Sequence, residues 1–479
     1  MIQNYIGDDN KFIIAWRKVL KKAPIDFITH LAITTQKFDA MHQINSQNSP
    51  IHVAAIDSSL YKQMMVQLAD MNKRNVFGNI HDEIWALVFA AGNGQIEIYK
   101  DIAGELGDKN PARFDGVTPL YIGAQQGHYE ICKFIVANVD NKNPARPNGV
   151  TPLFMAAQNG HYEICKLIIS NVYDKNPATH DGATPLFIAA QNGHYEICKL
   201  IITYLDDKNP ARNDGVTPLY MAAAQGHLEI CKLIIANVDE KNPARPNGVT
   251  PLFIAAQNGH YEICKLIITN VNDKNPARSD GVTPLFISAE KGHYEICKLF
   301  ITDMGNNNPA KHNGVTPLYM AAQMGHYEIC KHIIDNVDEK NPSIHDDGST
   351  PLFIAAANGH CLIFKLILES LASDNNKNPR SDGGYTPLHI AASKGHLEIC
   401  QIILEEVDDK NPLTDDGFTP LYLAANNGHL EVFKFIFEKV TAKNPKANGE
   451  CIPQHYQLTN TANKYITGMI WTKFKMFWK

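Results

Sequence analysis

The chain has 479 residues, 44% of them hydrophobic, and 44 lysines and arginines against 50 aspartates and glutamates give a net charge of −6. That balance leaves no global basic field of the kind that draws nucleic acid, so nucleic acid is not an expected partner. No apolar run approaches the roughly 18 residues that a bilayer span needs, and no Asn-X-Ser/Thr acceptor with X other than Pro occurs.

Met1 to Leu20 carries Asp8, Asp9, Lys11, Arg17 and Lys18, unlike the basic cap and apolar core of a secretory signal. A soluble, cytoplasmic protein of a reducing compartment is therefore expected. Helical patterning runs around Phe12 to Leu20 and Ile25 to Phe38, without a recognisable effector domain. Pro50-Ile51-His52-Val53-Ala54-Ala55 and the stretch Trp85 to Val117, with Ala90-Ala91 and Gly94, read as two worn copies of the unit that follows.

From Thr118 the chain is periodic. Thr-Pro-Leu recurs with its Thr at 118, 151, 184, 217, 250, 283, 316, 350, 386 and 419. Each unit reads as turn, helix, short turn, helix. In the unit from Asn148 to Ile169, Asn148-Gly149 supplies a tight turn, Thr151 an N-cap, and Pro152 occupies the first helical position, where its missing N–H costs nothing. Gly160 ends the first helix in a left-handed conformation, and Tyr162, Ile164, Cys165, Leu167 and Ile168 give a second amphipathic helix. Asn176-Pro177 closes the unit, because a residue before proline avoids helical angles. Neither helix is long enough to be stable alone, so stacking of neighbours must bury their apolar faces.

The period with Thr-Pro-Leu-X-X-Ala-Ala-X-X-Gly-His resembles the ankyrin repeat, most literally at Thr386-Pro387-Leu388-His389-Ile390-Ala391-Ala392. The resemblance implies an all-α solenoid of stacked helix-turn-helix units with projecting turn loops. The expected layout is a helical segment at 1–48, two degenerate repeats at 49–117, ten repeats at 118–451, a degenerate capping unit at 452–470 and an aromatic, basic tail at 471–479. Two departures stand out. The family's His after Thr-Pro-Leu is replaced by Tyr121, Phe154, Phe187, Tyr220, Phe253, Phe286, Tyr319, Phe353 and Tyr422, leaving only His389. The family's Gly-Ala-Asp-Val-Asn gives way to strings such as Val238-Asp239-Glu240-Lys241-Asn242-Pro243, which point to a longer second helix and a stiffer lead into each turn.

Cys132, Cys165, Cys198, Cys231, Cys264, Cys297, Cys330 and Cys400 share one repeat position. Adjacent helices pack roughly 10 Å apart, beyond the ~7 Å a disulfide tolerates, so these thiols read as buried core of a reducing compartment. His128 with Cys132, and each such pair up to His396 with Cys400, supplies only two ligands, so the His column reads as a tie from the interhelical turn to backbone and no metal is expected. Glu130 and Lys133 have the spacing of weak surface pairing. No nucleophile elbow, phosphate-cradling loop or paired carboxylates occur, so the expectation is no enzyme and no cofactor.

In the family the turn tips project like fingers along one edge of a groove. Arg113, Arg146, Arg212, Arg245, Arg278 and Lys311 share a tip position, and Gln125, Gln158, Gln191, Gln257 and Gln323 share one on the first helices. Either each cation is solvated or weakly paired with Asp115, Asp214 or Asp280, or the row reads an extended acidic segment of a partner protein with help from the Gln amides. On the second reading, changing the Arg column to Ser weakens capture without lowering the melting temperature. The regularity breaks with one added residue around Ser343 to Gly348, three between Leu371 and Gly384, and Cys361-Leu362 in place of Tyr-Glu. Trp471 to Lys479 carries aromatics and lysines and reads as a lid over the last unit, with contact to a membrane surface as the alternative. The expected function is a non-catalytic protein-interaction scaffold. A membrane or cytoskeletal adaptor and a substrate-recruiting subunit of a modifying enzyme are the rivals, and oligomeric state is left open.

Overall fold

The computed structural model describes residues 80–303, 308–371, 377–440, 446–447 and 450–451. The expectations for 1–79 and 452–479, including the first worn repeat, the capping unit and the aromatic tail, lie outside the described residues. The chain divides into two compact units, Met1–Glu240 and Lys241–Lys479.

The first unit holds five helix pairs among the described residues: α1 (Ile80–Gly92) with α2 (Ile96–Glu105), α3 (Pro119–Gln126) with α4 (Tyr129–Asn138), α5 (Pro152–Gln158) with α6 (Tyr162–Ile169), α7 (Pro185–Gln191) with α8 (Tyr195–Ile202), and α9 (Pro218–Gln225) with α10 (Leu228–Ile235). The second unit holds six: α11 (Pro251–Asn258) with α12 (Tyr261–Ile268), α13 (Pro284–Lys291) with α14 (Tyr294–Asp303), α15 (Pro317–Met324) with α16 (Tyr327–Asp335), α17 (Pro351–Asn358) with α18 (Cys361–Ser370), α19 (Pro387–Lys394) with α20 (Leu397–Glu406), and α21 (Pro420–Asn426) with α22 (Leu430–Lys439). Within each unit, first helices pack on the first helices of the next pair and second helices on second helices, giving two parallel layers. The described residues also hold a 3-10 turn at Asp382–Gly384 and a short antiparallel pairing of Lys446–Ala447 with Glu450–Cys451. The all-helical stacked solenoid expected from the period is therefore the observed architecture.

The first helices start with nearly all their free amides satisfied. Thr151 Oγ1 accepts from Phe154 N at 3.2 Å, and Thr151 O from Met155 N at 3.1 Å. Pro152 has no N–H, and Leu153 N donates to Asn143 Oδ1 at 2.9 Å. The same Asn bond recurs from Asn110, Asn176 and Asn209 in the first unit, and from Asn242, Asn275, Asn308 and Asn341 in the second. The Asn of these eight Asn-Pro pairs therefore does more than stop a helix, because it caps the next one, whereas Asn378 and Asn411 leave their Oδ1 atoms buried without a partner.

Its neighbour caps the helix just finished. The ammonium of Lys142 donates to Val139 O at 2.6 Å, that of Lys175 to Ile169 O at 2.6 Å, and that of Lys208 to Ile202 O at 2.9 Å. A cation at a helix C-terminus satisfies carbonyls and complements the dipole. Asp174 and Asp207 complete the link by accepting from the amides of Asn176 and Asn209 at 2.9 Å. In the first unit this lysine and asparagine form a double cap, and the second helices from Tyr129 on end before it, at eight to ten residues.

Between the layers lies a repetitive core. Leu153, Ala156, Ala157, Cys165 and Ile168 have no exposed surface, and their counterparts in the other repeats match them closely. Ser288 replaces Ala in one repeat, and its hydroxyl stays satisfied by donating to Leu285 O at 2.9 Å. The single added residue widens a tip: Ile344 N reaches Ser349 O, one position farther than Lys311 N to Val315 O. The tip at Ser381 to Tyr385 has ordinary length, so its three added residues precede Lys377. Leu362, at one of the breaks, is 70% exposed.

Candidate functional site

Each tip is a short backbone loop. Arg113 N donates to Val117 O at 2.8 Å, Gly116 N to Arg113 O at 2.9 Å, and Val117 N to Asp115 Oδ1 at 3.1 Å. Gly116 has φ +79, and a Cβ there would lie 2.5 Å from Pro147, so glycine is required by both conformation and space. Neighbouring tips are joined by single backbone bonds, as from His180 N to Asn148 O and Asn213 N to Asp181 O in the first unit, and from His345 N to Asn313 O in the second.

The row of cations is present in both units, and all six side chains are half-buried. Four of them lie over the aromatic ring of the preceding repeat. Arg146 sits 5.2 Å from the centre of Tyr121, Arg212 5.3 Å from Phe187, Arg278 5.6 Å from Phe253 and Lys311 5.6 Å from Phe286. The rings so covered are 1–6% exposed. Phe154, with Thr179 at the lid position, is 9% exposed, and Phe353, with Ser381 there, is only half-buried. The loss of the family His and the gain of the cation row are thus one arrangement, a ring and its lid.

Carboxylates occupy several of these cations. Arg113 pairs with Asp115 at 3.1 Å, Arg212 with Asp214 at 3.4 Å and Asp181 at 3.5 Å, and Arg278 binds Asp280 through two nitrogens. The hydrogen bond from Arg278 holds the Asp280 carboxyl below its usual value, and one from Thr179 does the same for Asp181. Burial lowers the Arg113 guanidinium, against the pull of Asp115. Arg146 instead donates to Asp115 O and the Tyr121 hydroxyl, each at 3.3 Å. Neither Arg146 nor Lys311 has a carboxylate partner among the described residues. Because four of these side chains cover rings, changing them to Ser is expected to lower the melting temperature, where the sequence alone leads us to expect no change.

On the exposed side of the first helices the fourth residue is apolar and half-buried at Ile122 and Met221 in the first unit, and at Ile254, Met320, Ile354, Ile390 and Leu423 in the second. One turn on, the half-exposed side chains of Gln125, Gln158 and Gln191, and of Gln257 and Gln323, make no hydrogen bond among the described residues. Their backbone carbonyls are used. His161, His194 and His227 Nε2 donate at 3.1 Å to Gln125 O, Gln158 O and Gln191 O, and His293 and His360 donate at 3.0 Å to Gln257 O and Gln323 O. A carbonyl only accepts, so Nε2 carries the proton in each. The His column ties each interhelical turn to the previous repeat, as its position suggested.

Where the family His is kept, the wiring differs. His389 Nδ1 accepts from Thr386 N at 3.1 Å and Nε2 donates to Phe418 O at 3.1 Å, with no exposed surface. Burial lowers its pKa from 6.5 to about 4. The eight stacked thiols are free and fully buried. Burial pushes Cys132, Cys198, Cys231, Cys297, Cys330 and Cys400 up to about 12, and raises Cys165 and Cys264 as well. Among the described residues no group of three or more His, Cys, Asp or Glu could hold a metal ion, and no helix is long and apolar enough to cross a membrane.

Periodicity alone does not expose the ring and lid pairing, because its partners come from different repeats. A signal was available in the constant interval of 25 residues from Tyr121 to Arg146 and its equivalents.

The family model of ankyrin repeats (3 copies) matches residues 87–178, 155–243, 233–311, 300–379 and 370–448. No curated protein matches the chain.

Proposed function

The chain belongs to the ankyrin repeat family, whose repeats are generally protein-interaction modules, and from that premise we propose that it is a non-catalytic scaffold binding partner proteins along the tip side of its first helices. The observation that carries this reading is the column of Gln side chains that make no hydrogen bond among the described residues, beside a half-buried Ile and Met stripe. Apolar contact with convergent polar groups is the make-up of a recognition surface. The helix caps and inter-repeat ties support a surface organised before the partner arrives, which lowers the entropy lost on binding.

The partner segment is extended and acidic. Arg146 and Lys311 support that choice, since their charge is opposed by no carboxylate among the described residues, whereas Arg212 and Arg278 are already paired. The buried, high-pKa thiols support residence in a reducing, cytoplasmic compartment, where they stay reduced without pairing. The full chain with Gln125, Gln158 and Gln191 changed to Ala tests the reading by affinity capture and mass spectrometry. Partner capture should fall while the unfolding midpoint stays put, and should fall further as salt rises; capture unaffected by the triple change overturns it.

A further inference from the structure

Three consecutive tips of the second unit, those at Ile344, Ser381 and Thr414, reverse the chemistry of the earlier ones. The lid position is taken by Ile344, Ser381 and Thr414, and exposed carboxylates accumulate at Asp346, Asp347, Asp382, Asp415 and Asp416. Arg380 stands next to the Ser381 tip and is turned onto Leu413 O at 3.1 Å. Behind the carboxylates lie the half-buried Ile354, Ile390 and Leu423, with Leu413 51% exposed. Phe353 is here a ring without its lid: it occupies the position that Arg or Lys covers at Phe187, Phe253 and Phe286, but Ser381 stands where that cation would come from. This face therefore combines an apolar strip, a carboxylate border and an open ring already suited to a cation.

We propose that the occupant of this face is the chain's own segment Trp471-Thr472-Lys473-Phe474-Lys475-Met476-Phe477-Trp478-Lys479, with its lysines on the Asp tips and Phe353 and its aromatics on the Ile354, Ile390 and Leu423 strip. Charge is complementary, since the segment has three lysines and no acid against five aspartates. Size agrees, because nine extended residues cover about 30 Å, the width of three repeats at about 10 Å each. Reach is ample: beyond the hairpin that ends at Cys451, residues 452–470 can extend to roughly 60 Å, about twice the width of three repeats. A lysine over Phe353 repeats the pairing of Lys311 with Phe286.

Zero-length carbodiimide coupling of the full chain tests this, because it joins only an amine and a carboxylate already in contact. An equal mixture of chains labelled with light and heavy nitrogen separates links within a chain from links between copies. The expected result is intrachain links from Lys473, Lys475 or Lys479 to Asp346, Asp347, Asp382, Asp415 or Asp416. They should fall by an order of magnitude in D382K/D415K/D416K and in about 0.5 M salt, where the screening length is about 4 Å. Combining that variant with K473E/K475E/K479E should restore the links with reversed chemistry, which also shows that the variant is folded. Absence of these links, their spread over carboxylates elsewhere, or links only between copies overturns the proposal. Links only between copies assign the face to a second molecule instead. None of these outcomes depends on the partner assigned to the Gln column, so the two readings fail separately.

Discussion

Replacing Arg278 by Ala is the sharpest test of the ring and lid arrangement. The substitution removes the guanidinium 5.6 Å above Phe253 and both bonds to Asp280, and it opens a ring that is now 1% exposed. The side chains of Arg278 and Asp280 are 35% and 48% exposed, so the ion pair is screened and contributes no more than ~0.5 kcal/mol. The cation over the ring adds about 0.5–1 kcal/mol. Uncovering roughly 20 Å² of ring adds about 0.5 kcal/mol. A loss of about 1–2 kcal/mol is expected, read as a lower urea midpoint for the full chain at unchanged slope. Salt apportions it: at about 1 M the ion-pair share is screened out of the wild-type protein and most of the difference should remain. Arg278→Met should keep part of the cover and fall between the two. An Arg278→Ala protein with the wild-type midpoint would refute the lid and return the row to ordinary solvated charge.

Three further outcomes follow from the same geometry. Asn176→Ala leaves Leu186 N without its acceptor at 2.8 Å, which should cost about 1 kcal/mol and accelerate hydrogen exchange of that amide; unaltered exchange would count against the cap. His389 has a folded pKa of about 4 against 6.5 unfolded, so the native state binds fewer protons than the unfolded chain between these values. Its contribution is complete above pH 6.5 and is lost as pH falls towards 4, up to about 3 kcal/mol. Exchange in the stretch from Thr386 to His396 should rise over that window, and the dependence should vanish in His389→Phe, the residue other repeats carry there. The eight stacked thiols should resist maleimide labelling in the native chain while Cys361, only partly buried, reacts before any of them, as peptide mapping would show; fast labelling of Cys231 contradicts the core packing.

Elements governed by local chemistry were legible without coordinates. Thr151, Pro152 and Gly160 act within a few residues of themselves, so the helices begin and turn where these residues stand. The Cys column was legible because burial follows the period. Contacts between repeats were less so. The double cap from Lys175 and Asn176 depends on where two different helix ends meet, and its composition reads simply as a polar turn. The lid of Arg212 on Phe187 requires knowing that a tip folds back over the preceding helix rather than standing free. The placement of added residues was ambiguous for a similar reason: a widened tip at Ile344 and a longer lead before Lys377 look alike as inserted length.

The ties between the regular repeats have a direction, unlike those of Arg380 and His389, which donate forward to Leu413 O and Phe418 O. His161 reaches back to Gln125 O, Arg146 back to Tyr121, and His180 N back to Asn148 O, so the donor belongs to the later repeat and the acceptor to the earlier. Every regular repeat thus carries an acceptor edge and a donor edge, like tongue and groove boards cut from one die. A tandem duplication of one whole period brings both edges with it, and the new joints are complete at once. During synthesis, by the same logic, each repeat emerges from the ribosome with its rear joint ready to close and its forward joint waiting for about 33 more residues. Growth in length and growth in time then obey a single rule.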